Sequence, residues 1–389
     1  MPQDVSDEGF LVANAGTAYY VNDGSLAGDE YATAVGDNIN SGKTPDAPMA
    51  SLAALLSAYD LDPGDIIYVD TGDYALLTNI VLGVEDAGVE IRGPELTGHS
   101  AVLDRGNTGS GSYVFDLQDA DDVVLSHLEI TGAQYGVYAS SSSDSDGLQI
   151  LDSVVHDNSY GVYLNSTNDD AVIRGGTNYD NGSYGITLYG TASLVQSVEA
   201  YGNNYGIYVA GAASLVDDVE AYGNNTGIYV SGSGTELRGS LVHDNTTTGI
   251  SAGSSSLVTG NTVWGHSGSG DSGIVAAGSS LISSNEVYGY YTGISGNGTI
   301  AEIRVYANTY RGISSSGYGT LSGNVVYSNP TGVYISANYN CEVDVLNNLI
   351  YANTNAGLVI NGGGYNNAHQ VINNTIYQSV GDAVTVQGN

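Results

Sequence analysis

The ten residues YGNNYGIYVA at 201–210 return as YGNNTGIYVS at 222–231, 21 positions later. A stretch copied at that distance is either a site used twice or a unit of scaffold, and its neighbours decide which. A glycine followed by Ile, Val or Leu recurs at Gly136, Gly161, Gly185, Gly206, Gly227, Gly249, Gly273, Gly293, Gly312, Gly332 and Gly357, with Ala383 in the same slot, at spacings of 19 to 26. Self-similarity at this period marks a solenoid, in which each unit buries its apolar face only against its neighbours.

Two short patterns of period two sit in each unit, one like GIYV, with Ile207 and Val209 alternating with Tyr208, and one like VEAY or NTVW. Coils of about 22 residues made of short strands and Asn-rich turns fit a parallel β-helix; helical repeats are longer, and the leucine frame of leucine-rich repeats is absent. Counting back from these positions after Gly136, an aromatic residue stands once per turn: His156, Tyr179, Tyr201, Tyr222, His243, Trp264, Tyr288, Tyr306, Tyr327, Tyr351 and Tyr377. Asn follows two residues later at Asn158, Asn181, Asn203, Asn224, Asn245, Asn308, Asn329 and Asn353. With coils about 4.8 Å apart, rings would stack and amides would bond along ladders. The repeated decapeptide therefore reads as scaffold. His156 and His243 fall in the ring column and His266 in an Asn slot, so all three are expected to be structural, while His99, His127 and His369 lie outside the register.

Composition agrees with an all-β chain: 389 residues, 55 Gly and 31 Tyr. Against 42 Asp and Glu stand 7 Lys and Arg, a net charge of -35. Such a surface repels nucleic acid and anionic membrane, leaving cations, neutral polymers or other proteins as partners. The lone Cys341 permits no internal disulfide and is expected to fill core. No apolar run reaches membrane-spanning length, and MPQDVSDEGF lacks the regions of a signal peptide. The expectation is an extracellular or cell-surface piece of a longer exported chain, with VQGN at the end carrying no cap and coil ends able to associate end to end.

The pattern NxVYxN…GIxV, as in NVVYSNPTGVYI at 324–335, resembles the right-handed parallel β-helix proteins of the pectate-lyase-like superfamily over nearly the whole chain. The stretches YYVNDGS at 19–25 and GDNINSGKTPDAPMASLAALLSAYDLDPGDIIYVDTGDY at 36–74 resemble the opening of extracellular polysaccharide-active β-helix proteins, the chondroitinase B and alginate lyase group, and of large bacterial surface proteins. The expected organisation is one continuous domain: an N-terminal loop, capping helix and first strand over 1–75, irregular early coils over 76–131, and regular coils over 132–389. Asp46 and Pro48 suit a helix start, Leu52, Leu55 and Leu56 give it an apolar face, and GDIIYVDTGDY at 64–74 reads as the first core strand.

The resemblance implies a Lys or Arg base for uronate lyases, but the only lysine, Lys43, lies in the N-terminal loop and matches no such position; the epimerase Tyr-Gly-x-Asp-Pro-His motif is also missing. For hydrolysis the candidates are Glu199 and Glu220, in the same slot of consecutive coils, with Asp217 and Arg238 beside them; the groove would lie near 174–238. The competing account is a solvated column of mixed charge. Tyr138, Tyr163, Tyr208 and Tyr229, two residues after the glycine, should face outward, and with Tyr184 and Tyr205 before it they form a strip suited to stacking on sugars. Asp37, Asn38 and Asn40 in DNINSG suit calcium, without the closing Glu of an EF-hand. No cofactor is required by these readings, calcium being the one candidate. Two functions stand: a non-catalytic extracellular β-solenoid spacer that binds polysaccharide or neighbouring protein modules, and a carbohydrate-active hydrolase or calcium-assisted lyase.

Overall fold

The structure, a computed structural model, describes residues 18–337, 342–362 and 369–387; Cys341 lies outside them. The chain is an all-β parallel solenoid of about 14 turns with about 23 residues per turn and, among the described residues, one α-helix. Its contacts divide it into two compact units, 1–177 and 178–389.

In the second unit a typical coil has three strands, not two: Tyr205–Val209, Leu215–Asp217 and Glu220–Tyr222. Each pairs in parallel and in register with the strand one coil on, as in Ile207↔Ile228, Val216↔Leu237 and Tyr222↔His243. The middle strand escaped the periodicity reading because it buries a single side chain, Val216, and one inward residue makes no alternation. Ile207, Val209, Val216 and Ala221 are fully buried and form that coil's share of the core. The bend from the second strand to the third uses a residue of positive φ, such as Ser197 (53°) or Asp218 (54°). Asp tolerates that region through its short polar side chain.

The repeated glycine has a different cause. A Cβ on Gly206 would lie 2.6 Å from the Gly227 carbonyl oxygen and 2.8 Å from Asn224 Nδ2. Only a hydrogen fits where consecutive coils touch at this point. The amide that crowds it belongs to the asparagine ladder: the Asn203 N–H donates to Asn224 Oδ1 (2.9 Å), and the Asn224 N–H donates to Asn245 Oδ1 (3.0 Å). Asn224 Nδ2 donates to the Ala200 carbonyl (2.9 Å), so one buried side chain satisfies both a backbone donor and a backbone acceptor of the preceding coil. A second ladder runs through Asn324, Asn348 and Asn374.

One expected rung fails. His266 leaves its asparagine slot, is exposed, and pairs with Asp271 at 2.6 Å. Tyr290, in the equivalent slot one coil on, is fully buried, its ring beside Gly273 and its hydroxyl within 2.9 Å of a Cβ position on Gly249. The phenol is bulkier than an amide and fills the space His266 vacates.

The first unit begins with Ala18–Val21, which pairs with Ile66–Val69 through Tyr19↔Ile67 and Val21↔Val69. This strand, not the 64–74 segment, is the first of the core; 64–74 itself holds two strands, Ile66–Val69 and Gly72–Ala75. The helix is Leu52–Ala58, later than the Asp46–Pro48 signal suggests, with Ser51 as its cap accepting from the Ala54 N–H (3.3 Å). Residues before it cannot turn helical because Met49 is bridged to the first strand, its N–H donating to Tyr20 O (3.0 Å) and its carbonyl accepting from the Asn22 N–H (2.9 Å). Leu52 and Leu55 are buried and Leu56 half-buried, as the apolar face requires.

Candidate functional site

Five-residue strands carry the tyrosines. Their glycine sits in the second place with no outward side chain, so the first and fourth residues both face out, giving two adjacent outward columns. In the first unit the fourth-place column reads Val81, Asp116, Tyr138, Tyr163 in successive coils. Where one more ring would stand, the chain places a carboxylate.

Tyr113 leans across to cover that gap, its ring centroid 4.7 Å from that of Tyr138 at 27°. Tyr135 lies 4.6 Å from Tyr138 and 4.7 Å from Tyr160, and Tyr138 lies 6.2 Å from Tyr163. Beside these rings opens a cleft of about 480 Å³ lined by Tyr113, Tyr138, Asp116, Gln118, Asp119 and the serines of the 140–143 turn. That volume lies within the roughly 300–1,000 Å³ of small-ligand sites. Burial pushes the Asp116 carboxyl up from its ordinary range, partly offset by the hydrogen bond from Gln118 Nε2 (2.9 Å). Burial raises the Tyr113, Tyr135 and Tyr138 hydroxyls as well, so the rings stay neutral donors. Asp119 Oδ1 accepts from the Asp144 N–H (2.8 Å).

The sequence singled out Tyr138 and Tyr163 here but missed Tyr113, Asp116, Gln118 and Asp119. Tyr184, Tyr205, Tyr208 and Tyr229 lie in the second unit, with Tyr184 and Tyr205 stacked at 4.9 Å and Tyr208 and Tyr229 at 4.5 Å.

The acidic candidates are brought together in register and then engaged. Glu199 stands opposite Glu220, whose Oε1 lies 3.0 Å from His243 Nε2. Asp217 lies one strand earlier, on the other side of the corner, and is held 3.0 Å from Arg238 Nε; that hydrogen bond outweighs burial and keeps the carboxyl below its ordinary range. Of these carboxylates, Glu220 and Asp217 are thus paired with His243 and Arg238. His243 is sandwiched between Tyr222 (5.1 Å) and Trp264 (4.3 Å), and His156 is likewise placed between Glu129 (3.1 Å) and Asp157 (2.8 Å). His99 and His127, outside the register, line one small cleft of about 190 Å³ with Glu129 and Asp152.

In the N-terminal loop, Asp37 Oδ1 accepts from the Ile39 N–H (3.1 Å), Asn38 Oδ1 from the Ala50 N–H (2.9 Å), and Asn40 Nδ2 donates to the Pro48 carbonyl (2.9 Å). These groups brace the loop. Among the described residues no group of three or more His, Cys, Asp or Glu is placed to hold a metal ion.

The family described as "Right handed beta helix region" matches residues 61–203 and 193–272, more than half of the chain. The chain belongs to the right-handed β-helix family. Among solved β-helix structures, it is similar to the Dettilon tailspike protein, at 13% identity and a TM-score of 0.51, covering 95% of this chain and 68% of that one. It is also similar to the periplasmic alginate epimerase AlgG, at 12% identity and a TM-score of 0.43 (85% and 76%). The A-module of the Azotobacter vinelandii mannuronan C-5 epimerase AlgE4 gives 14% and 0.44 (83% and 88%). At these identities the likeness is one of fold. No curated protein matches the chain. As a β-helix protein it has coils that offer long outward columns of side chains, and no helix among the described residues is long and apolar enough to cross a membrane.

Proposed function

We propose that this β-helix is a non-catalytic module of an exported surface or matrix protein, a rigid spacer that binds polysaccharide on the tyrosine face of its first unit. One observation carries the reading: the open cleft at the end of the tyrosine column, lined by the Tyr113 and Tyr138 rings together with Asp, Gln and Ser groups. Rings supply broad apolar faces for the C–H surface of a sugar, and the polar rim meets its hydroxyls. Neighbouring protein modules are the second class of partner, at coil ends where Val384 and Val386 of the last described strand are 48% and 71% exposed. Nucleic acid and anionic membrane are excluded on charge, at -35. Calcium enters as an optional structural ion, not as a requirement.

A carbohydrate-active enzyme is the second reading, favoured by the raised carboxyl of Asp116 within the cleft, which suits a general acid. A glycan screen on the purified chain, reading binding and product release together, with and without calcium, separates the two. Binding without turnover supports the module, product release overturns it in favour of the enzyme, and silence in both channels overturns both.

A further inference from the structure

We infer that the polysaccharide bound in the tyrosine cleft carries free amino groups: a cationic amino-sugar polymer, its rings on Tyr113 and Tyr138 and its ammonium groups on Asp116 and Asp119. The inference rests on the reading of this cleft as a glycan site, and names its ligand class.

The chain has seven lysines and arginines, each with a partner of its own. Lys43 Nζ lies over the Tyr59 ring at 4.5 Å. Arg92 grips Glu90 with two hydrogen bonds of 2.8 Å. Arg238 pairs with Asp217 (3.0 Å), Arg304 with Glu286 (3.9 Å), and Arg311 lies 3.4 Å from the Tyr334 ring centroid. Arg174 is engaged as well. Arg105 comes nearest the cleft, since its partner Asn79 also accepts from the Tyr113 N–H, yet it donates to Asn79 and the Leu76 carbonyl and lines no part of the cleft. None of the seven basic residues lines the cleft, so none is placed there to neutralise an anionic ligand. A uronate polymer would bring its carboxylates to Asp116 and Asp119 with nothing to neutralise them.

A neutral glycan could donate its hydroxyls to those two carboxylates but would leave their charge uncompensated. Asp116 Oδ2 takes the Gln118 hydrogen bond and Asp119 Oδ1 the Asp144 N–H, whereas Asp116 Oδ1 and Asp119 Oδ2 accept no hydrogen bond among the described residues. An ammonium has three donors and no acceptor. The ring floor is the independent element: it asks for a flat apolar face, as a pyranose has, and a free metal ion has none. An adjacent cation opposes the burial that raises Asp116, so binding should lower that carboxyl.

The test is calorimetry on the full chain with three short oligomers of equal length: glucosamine, N-acetylglucosamine and a uronate. Salt is held at about 0.15 M, where exposed charges are screened beyond about 8 Å. The amine form should bind about tenfold tighter than the acetylated form, and the uronate should not bind. The double variant Asp116→Asn with Asp119→Asn moves net charge only from -35 to -33 (-35 + 2), so the general field is nearly unchanged. It should lower the amine to the affinity of the acetylated form while leaving the latter intact, which also reports that the variant is folded. Equal affinities in the parent, no effect of the double variant, or metal-free uronate binding would each overturn the inference. In those cases, weakening of acetylated binding by Tyr138→Ala preserves the glycan reading. If no oligomer binds, both fall.

Discussion

Tyrosine is put to two uses in this chain, and comparing them shows what makes a stack into a site. In the second unit Tyr179, Tyr201, Tyr222, His243, Trp264, Tyr288, Tyr306, Tyr327 and Tyr351 pile up in one column. Their spacing runs from 4.3 to 6.1 Å, with planes no more than 17° apart. Each inner ring has both faces covered by neighbours, so the column stabilises coils and has no face left for a ligand. In the first unit the rings meet at angles from 18° to 83°, and the series stops at a carboxylate. Periodicity makes scaffold; its interruption at Asp116 makes a cleft.

The most damaging change should be in the scaffold. Asn224→Ala removes the acceptor of the buried Asn203 N–H and the donor to Ala200 O, and should cost about 3 kcal/mol or more in denaturant unfolding. Glycan affinity in the first unit should not follow it; a parallel loss would break the contrast. Tyr138→Ala should do the reverse, weakening glycan binding about tenfold, or about 1.4 kcal/mol by titration. Tyr222→Ala, which removes a ring stacked on Tyr201 and His243, should cost about 1 kcal/mol of stability and no affinity.

The smallest effect concerns pH. Because burial raises Asp116 in the fold, the folded chain holds this proton more tightly than the unfolded chain. Its contribution is most favourable below the unfolded carboxyl value of about 3.9 and is lost as pH rises through the folded value. Asp116→Asn should therefore flatten the stability profile over that interval and leave the chain slightly more stable above it. Thermal melts across pH check this, and an unchanged slope would mean that water reaches Asp116 freely.

Much of the scaffold was legible because ladders force repetition. Each coil must place glycine under the next carbonyl and asparagine beside it, so Gly206 and Asn203 reappear as Gly227 and Asn224. The cleft was hidden for the converse reason. In its strand, Tyr113–Gln118, Val114 occupies the place of the marker glycine, so the register that would align Asp116 with Tyr138 cannot be read from spacing. His266 misled in the other direction: it keeps the spacing of an asparagine, yet Tyr290 from the following coil takes its volume.

The scarcity of basic residues and the placement of most of them in strands also bear on how long the protein would last among digestive enzymes. Proteases that cleave after lysine or arginine need an extended, accessible segment around the residue, and here Arg92, Arg174, Arg238, Arg304 and Arg311 all lie in paired strands. Complete unfolding would expose only seven cleavage points, and hence yield at most eight fragments (7 + 1), from 389 residues.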